Sequence, residues 1–564
     1  MAKKVASFDI FDTCLIRKCG RPVDFFDIFS FHAFKEEVDD NTRMAFLLSR
    51  IAADEDLDKI DKTIEDIYEN LSFTHEKLYP KESLIQKEQA FEREMLIPSI
   101  VTQKKISELR EKGFTILFIS DMYLHTDFLK SVLSQYGFFN KGDSIYISCD
   151  VGLTKSSGEL FEHIAQKEKI SYYDWEHYGD NPISDISVPS KMGINCQKIE
   201  HESSPFQQKW LLDEFSTKFR YNNLMANIGR AIRYSVPNTI HTLFAIDIIS
   251  PILVPFVCNI FLDAKSRGIT DLYFFSRDAF SAYQIAKTLS NYFDGIHPHY
   301  LYTSQEAMYS GDERLKLEYY EQEGLASSTQ KNAIVDIRST GKSLEYLNKF
   351  LLPYKKYNPI FGYYLDIFCD SKKTHNRSDY YSEFNGAYDQ YSPNGKLHNA
   401  FTHWSIFEMF LSPHTTPKTT GYIPCQGKIL PVFSESKTTM DCIIDNSKEV
   451  TEHHNLVLQL FTEYFIQLQL FRYSHEIFRG ISIPTICHFF KYPPKEYLES
   501  LTCFRIWNQE KQCFSPYIEK KNLLYFFFKA NRKKLIWPIG SLIYSLPSFL
   551  PPRLTVTLFN RIFV

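Results

Sequence analysis

Val5-Ala6-Ser7-Phe8-Asp9-Ile10-Phe11-Asp12-Thr13 opens the chain with a short apolar run that ends in carboxylates. Such a run, too short for a helix and closed by polar residues, predicts a buried strand. A carboxylate at its end would face the crevice where parallel sheets bind ligands. Similar runs follow at Phe114 to Ile119, Ser144 to Ser148, Trp175 to Tyr178 and Ile194 to Ile199, each beside a helical period. This alternation predicts an α/β fold with a Rossmann-like parallel sheet. Between about residues 18 and 100 no strand is evident, and Ile60, Ile64, Ile67 and Leu71 follow helical spacing. A helical insertion after the first strand is expected, with Glu88, Glu92 and Glu94 on a solvated helix face.

The chain has 564 residues, enough for about three to four units. A first α/β domain over 1–216 (insertion at about 18–100), a second Rossmann-like α/β domain over 217–440 and a helical region over 441–564 are expected. Lys plus Arg number 64 against 68 for Asp plus Glu, a net charge of −4 that provides no general basic field for nucleic acid. Eleven cysteines, scattered and without a C-x-x-C pair, argue against a disulfide framework and for a reducing, cytoplasmic setting. The N-terminus reaches acidic residues before any long apolar run, so a secretory signal is not expected. The 48 Phe, 35 Tyr and 5 Trp are taken as core rather than as a ligand signal.

Four polar pieces stand at predicted strand ends: Asp9 with Phe11 and Asp12, Ser120-Asp121, Lys155 in Gly152-Leu-Thr-Lys-Ser-Ser-Gly158, and Gly179-Asp180 followed by Asp185. Their order and spacing resemble the motifs of the haloacid dehalogenase-like (HAD) superfamily over about residues 1–215. The resemblance implies a Rossmann-like hydrolase core whose insertion is a cap over the site. It implies Asp9 as nucleophile, forming an aspartyl-phosphate. Mg²⁺ would be held by Asp9, Asp180, the carbonyl of Phe11 and Asp185, directly or through water. Ser120 would donate to a phosphoryl oxygen and Lys155 would offset the charge of Asp9 and the phosphate.

One position departs from the pattern: Phe11 stands where the phosphatases of the superfamily carry the Asp that moves the proton. Phe cannot do so, and such help is typically worth about 10²–10⁴ in rate. Asp12 is the nearest substitute, with a loop or capping carboxylate as its alternative role. The retained acidic pair favours metal-dependent phosphoryl transfer over a binding-only domain, and both over dehalogenation.

The strings SFDIFDT, FISDMYL, TKSSGELF and HYGDN further resemble a HAD subgroup with a long C-terminal extension, typically encoded among bacterial surface-polysaccharide genes. That implies a phosphorylated sugar or related metabolite as substrate, with glycan-assembly enzymes as partners. The likeness continues in Tyr273-Phe-Phe-Ser-Arg-Asp278 and Val335-Asp-Ile-Arg-Ser-Thr-Gly341. Asp336 stands where a Walker loop needs glycine, so Gly341-Lys342-Ser343 is not read as a P-loop. A strand-end loop before a helix suits an anion. Arg277, Asp278, Asp336, Arg338, Ser339, Thr340 and Gly341 are therefore ligand candidates, either for a phospholigand scaffold or for a transferase in this domain. An Arg–Asp pair bracing the sheet edge is the alternative. His403, Glu408 and His414 are too far apart to be read as metal ligands. In the tail, Lys520, Lys521, Lys529, Arg532, Lys533 and Lys534 precede an uncharged, four-proline stretch, Leu535 to Pro552. Peripheral contact of 520–552 with the inner face of a membrane is expected through Trp537, Tyr544 and Phe549, with packing on the preceding helices as the alternative.

Overall fold

The computed structural model describes residues 4–34, 38–57, 59, 62–73, 79–199, 204, 207–208, 221–326, 331–339, 341–354, 360–367, 411, 418–434, 448–502, 505–508, 513–516, 518–532, 535, 537–547, 550–551 and 555–557. The chain forms two compact units: Met1–Gln208 with Asn223–Ser235, and Lys209–Asn222 with Val236–Val564. The boundaries expected at 216/217 and 440/441 lie outside the described residues.

In the first unit β1 (Val5–Phe8) is followed by β2 (Leu15–Arg17), α1 (Pro22–His32), α2 (Asp40–Glu55), α3 (Ile64–Glu69), α4 (Lys81–Met95) and β3 (Leu96–Pro98). Then come α5 (Ile100–Glu111), β4 (Thr115–Ser120), α6 (Thr126–Gln135), β5 (Ser144–Ile147), α7 (Ser148–Val151), α8 (Glu159–Glu168), β6 (Trp175–Gly179), α9 (Val188–Lys191) and β7 (Asn195–Lys198). The main sheet has the order β5-β4-β1-β6-β7 and is parallel throughout. All four residues of central β1 are buried, which is why it shows no polar alternation. Its one hydroxyl, Ser7, is satisfied by Trp175 Nε1 and His177 Nδ1, each at 2.7 Å. From β1 the chain builds β4 and β5 on one side, then β6 and β7 on the other. This reversal opens a crevice beside β1 at the carboxyl edge.

Helices α1 to α4 form the insertion, and its ends are tied by the antiparallel pair β2–β3. These strands have only three residues each and give no periodic signal in the sequence. The insertion has its own aromatic core, with Phe25, Phe29 and Phe91 in mutual ring contact and Phe46 against Phe29. The expectation of a solvated acidic face on α4 is corrected: Glu94 is exposed, but Glu88 and Glu92 are each only 1% exposed. Arg50 donates to both oxygens of Glu88 at 2.7 and 2.8 Å, Tyr68 donates to it at 2.7 Å, and Arg17 donates to Glu92 at 2.7 Å. Acids can be buried when cations accompany them, and these cations arrive from other elements of the chain.

The second unit contains β8 (Asp271–Phe275), β9 (His297–Leu301), β10 (Asn332–Ser339) and β11 (Phe361–Ile367), a parallel sheet of order β11-β10-β8-β9. A hairpin of β12 (Thr419–Cys425) and β13 (Lys428–Phe433) follows, then a largely helical C-terminal region. The helical run Ile240–Arg267 is long and apolar enough to cross a membrane, but 89% of its apolar window is buried inside the protein, which makes it a core helix. Lys448–Gln467 packs on it and on Phe280–Leu289. The α/β class with two parallel sheets and a helical end is thus the one expected from the alternation of runs. In the tail, Trp537 is fully buried against Phe489 and Phe490, and Leu535, Leu542 and Leu546 pack with Phe526. The assignment of Trp537 to a lipid interface is therefore corrected. The aromatic ring is taken up by a neighbouring helix of its own unit. Lys533, Lys534, Phe549 and Pro552 lie outside the described residues.

Candidate active site

Four separate segments converge at the carboxyl edge of the first sheet. Phe8 is the last residue of β1 paired with β4, opposite Phe118, and Asp9 and Ser120 follow at that end, both buried. On the other side Phe8 faces Tyr178, so Asp180 lies just beyond β6. Lys155 reaches in from the loop between α7 and α8, and its Nζ donates to Asp9 Oδ1 and Asp185 Oδ1, both at 2.6 Å. The loop is set by Asp121, whose carboxylate accepts the Lys155 backbone N–H at 2.9 and 3.1 Å. Asp185 is fully buried and also accepts the Asn181 N–H at 3.0 Å and meets His177 Nε2 at 3.3 Å. Gly179 is needed for this approach: a Cβ there would meet Asp185 side-chain atoms at 2.4–2.5 Å.

Asp9, Asp180 and Asp185 each offer one oxygen, and these lie within 4.8 Å of one another. Burial, with Asp185 adding repulsion and Lys155 opposing, pushes Asp9 up to about 8. Burial and the charges of Asp12 and Asp185 push Asp180 up to about 6. Asp185 goes the other way: burial opposes its charge, but His177 and Lys155 together hold it below the usual carboxylate range. Lys155 is lifted above its ordinary value because Asp9 and Asp185 outweigh its burial. Three carboxylates share a single ammonium, and a hard divalent cation among the oxygens would balance the remaining charge. The donor set therefore fits such an ion.

The Phe11 position is also occupied in a specific way. The Arg17 guanidinium sits 4.3 Å from the centre of the Phe11 ring, and Arg17 itself is paired with Glu92. The Phe11 ring thus lies under a cation. Asp12 has φ +52 and its Oδ1 accepts from Arg230 Nη2 at 3.1 Å. Arg230 comes from the helix Asn222–Arg233, 218 residues downstream. Neither Arg230 nor the bracing residues Asp121 and His177 were assigned a role from the sequence. His177 could have been suspected from its polar place in an apolar strand beside Gly179-Asp180, but Arg230 leaves no local signal.

In the second unit Arg277 and Asp278 follow β8 and Asp336 lies in adjacent β10. Asp278 is raised by burial, with Arg277 opposing. Asp336 is pushed up to about 7 by burial and by Asp278. Ser339 Oγ accepts the Gly341 N–H at 3.1 Å, and Gly341, at φ +76, precedes the helix Lys342–Leu351. The side chain of Arg338 and all of Thr340, His403, Glu408 and His414 lie outside the described residues.

No family model and no curated protein matches the sequence. Among solved structures the chain is similar to the HAD-hydrolase YfnB from Bacillus subtilis bound to magnesium, at 17% identity over 36% of this chain and 90% of that one, TM-score 0.27. It is similar to a HAD family enzyme from Bacteroides thetaiotaomicron, at 14% identity over 37% and 98%, TM-score 0.26. It is also similar to the L-2-haloacid dehalogenase from Xanthobacter autotrophicus, at 17% identity over 40% and 87%, TM-score 0.28.

Proposed function

We propose that the first unit is a HAD-type hydrolase that cleaves a phosphate monoester, with a phosphorylated sugar or related metabolite of surface-polysaccharide assembly as substrate. The observation that carries this is the meeting of Asp9, Lys155, Asp180 and Asp185 from distant segments at one sheet edge. Asp9 is the nucleophile: its carboxylate attacks phosphorus, the ester oxygen leaves with its electron pair, and water then hydrolyses the aspartyl-phosphate. Lys155 holds Asp9 in place and balances charge, Ser120 donates to a phosphoryl oxygen, and Asp185 with Asp121 orients Lys155. Asp9, Asp180 and Asp185, with the Phe11 carbonyl, would hold Mg²⁺, which supplies charge neutralisation when bound.

Asp12 is placed beside Arg230 rather than free, so it takes a positioning role, and the leaving group is protonated slowly or by solvent. Phosphate release from a panel of sugar phosphates, with and without Mg²⁺, tests this. The proposal fails if wild type and Asp9→Asn are equally inactive. If Asp9→Asn also binds a sugar phosphate, a phospholigand scaffold takes its place.

A second reading puts a transferase in the second unit. It is favoured by the strand order: from β8 the chain builds β9 on one side and then β10 on the other, so Arg277, Asp278 and Asp336 stand beside a reversal crevice. Loss of product in Arg277→Ala or Asp336→Ala, with Asp9→Asn harmless, would select it.

A further inference from the structure

The first unit holds a second cluster of metal-binding side chains, built from different donors. His125 immediately precedes α6, and Cys149 and Asp150 lie in α7, which follows β5. One ligand atom from each of the three lies within 4.8 Å of the others. The Asp9 group offers oxygen alone, which suits a hard ion, whereas this set combines imidazole nitrogen, sulfur and carboxylate oxygen, the mixture taken by zinc-class cations.

The surroundings are those of metal ligands. His125 Nδ1 is 2.6 Å from Asp150 Oδ1, while Nε2 of the same ring is 2.9 Å from Glu65 Oε2 of α3. The ring thus lies between two carboxylates: Glu65 on Nε2 would hold the tautomer from the outer sphere, and a cation would take the place of the proton that Nδ1 shares with Asp150. Asp150 is held in turn, since its Oδ2 accepts the Thr126 N–H at 2.7 Å. Cys149 is buried, and burial with Asp150 pushes its thiol up to about 12. The hydrogen bond to Asp150, against the effect of burial and with help from Glu65, raises His125. A set of sulfur, nitrogen and oxygen donors suits zinc-class ions, whereas Mg²⁺ keeps to oxygen.

The three donors come from the segments just after β4 and β5. The outer-sphere Glu65 belongs to the insertion, whose Ile64 N–H also donates to the Tyr123 carbonyl at 3.0 Å. We propose that His125, Cys149 and Asp150 form a site for a zinc-class divalent cation, with Glu65 as outer-sphere partner and solvent in the fourth position, that fastens α3 to the core. The site is separate from the Asp9 carboxylates and holds whether or not Asp9 is a nucleophile.

The test is titration of the full chain with Co²⁺ in excess Mg²⁺, which fills the all-oxygen site. Binding of one equivalent with a thiolate-to-metal charge-transfer band is expected. That band should vanish in Cys149→Ser and persist in Asp180→Asn. Glu65→Gln should keep the band and weaken binding about 10-fold. In the Zn²⁺-loaded protein, X-ray absorption should show one sulfur at about 2.3 Å and nitrogen or oxygen at about 2.0 Å. Absence of the band, its survival in Cys149→Ser, or a sulfur-free zinc shell would overturn the proposal. Should Cys149→Ser fail to fold, the exposed Glu65→Gln and the absorption spectrum of wild type decide it.

Discussion

In the proposed phosphoryl transfer through Asp9, Phe11 stands two residues on from the proposed nucleophile, where a carboxylate would act as proton carrier. Its ring lies under Arg17 instead, so restoring a carboxylate there adds general acid catalysis while giving up a cation–π contact. Phe11→Asp is expected to raise kcat for phosphate release by about 10²-fold or more, while Asp12→Ala, which removes a positioning contact with Arg230, leaves it within a few-fold. Steady-state kinetics on the best substrate check both, and equal rates for Phe11→Asp and wild type would place the rate limit elsewhere. Asp9→Asn removes the proposed nucleophile and should cost about 10³-fold or more in kcat. The three close carboxylates make a second residue-scale expectation. Mg²⁺ should raise the Tm of wild type in proportion to the logarithm of its concentration and leave that of Asp180→Asn nearly unchanged. The positions of Asp9, Ser120 and Asp180 are legible because each stands at or just after the end of a strand, and those of Lys155 and Asp185 from the motifs they belong to. Arg230 and the pairing of Glu88 and Glu92 were not legible, because charge pairing at long range leaves no period in the sequence.

At the scale of elements, α4 is anchored by charge as much as by its apolar face. Arg50 is fully buried with Glu88 as its two-pronged partner, and its guanidinium also lies 4.2 Å from the Phe26 ring centre. Removing one member strands the other in a dry place. Glu88→Ala is expected to cost about 3–5 kcal/mol in denaturant unfolding, whereas Glu94→Ala on the exposed side should change stability by less than about 0.5 kcal/mol. Similar losses for the two would mean that Arg50 finds water in the variant. The element boundaries follow the same physics. Strands of β1 type were visible as apolar runs, while β2 and β3 are held by pairing with each other across the whole insertion.

At the scale of the molecule, the helix Asn222–Arg233 belongs to the first unit from Asn223 onward, although residues 209–222 are grouped with the second. Arg230 pairs with Asp12, Asn223 donates to Asp24, and Gly20 lies so close to Asn227 that a Cβ would meet its side chain at 2.3 Å. A fragment of residues 1–235 should therefore fold cooperatively and keep the proposed phosphatase activity, whereas 1–208 should be less stable and less active. Thermal unfolding and phosphate release of the two fragments decide this, and equal behaviour would make the helix dispensable.

Local pattern alone determined the α/β class, the helical insertion after the first strand and the strand-end positions of Asp9, Ser120 and Asp180, because hydrophobic period and chain order are properties of neighbours, whereas Lys155, expected at a strand end, lies in the loop between α7 and α8. Tertiary structure alone decided that Lys155 bridges Asp9 and Asp185, that Asp12 meets Arg230, that two acids of α4 are interior and that Trp537 is buried within its own unit. Burial and electrostatic pairing act between residues far apart in the chain, and they exist only once the folded backbone has brought those residues within reach.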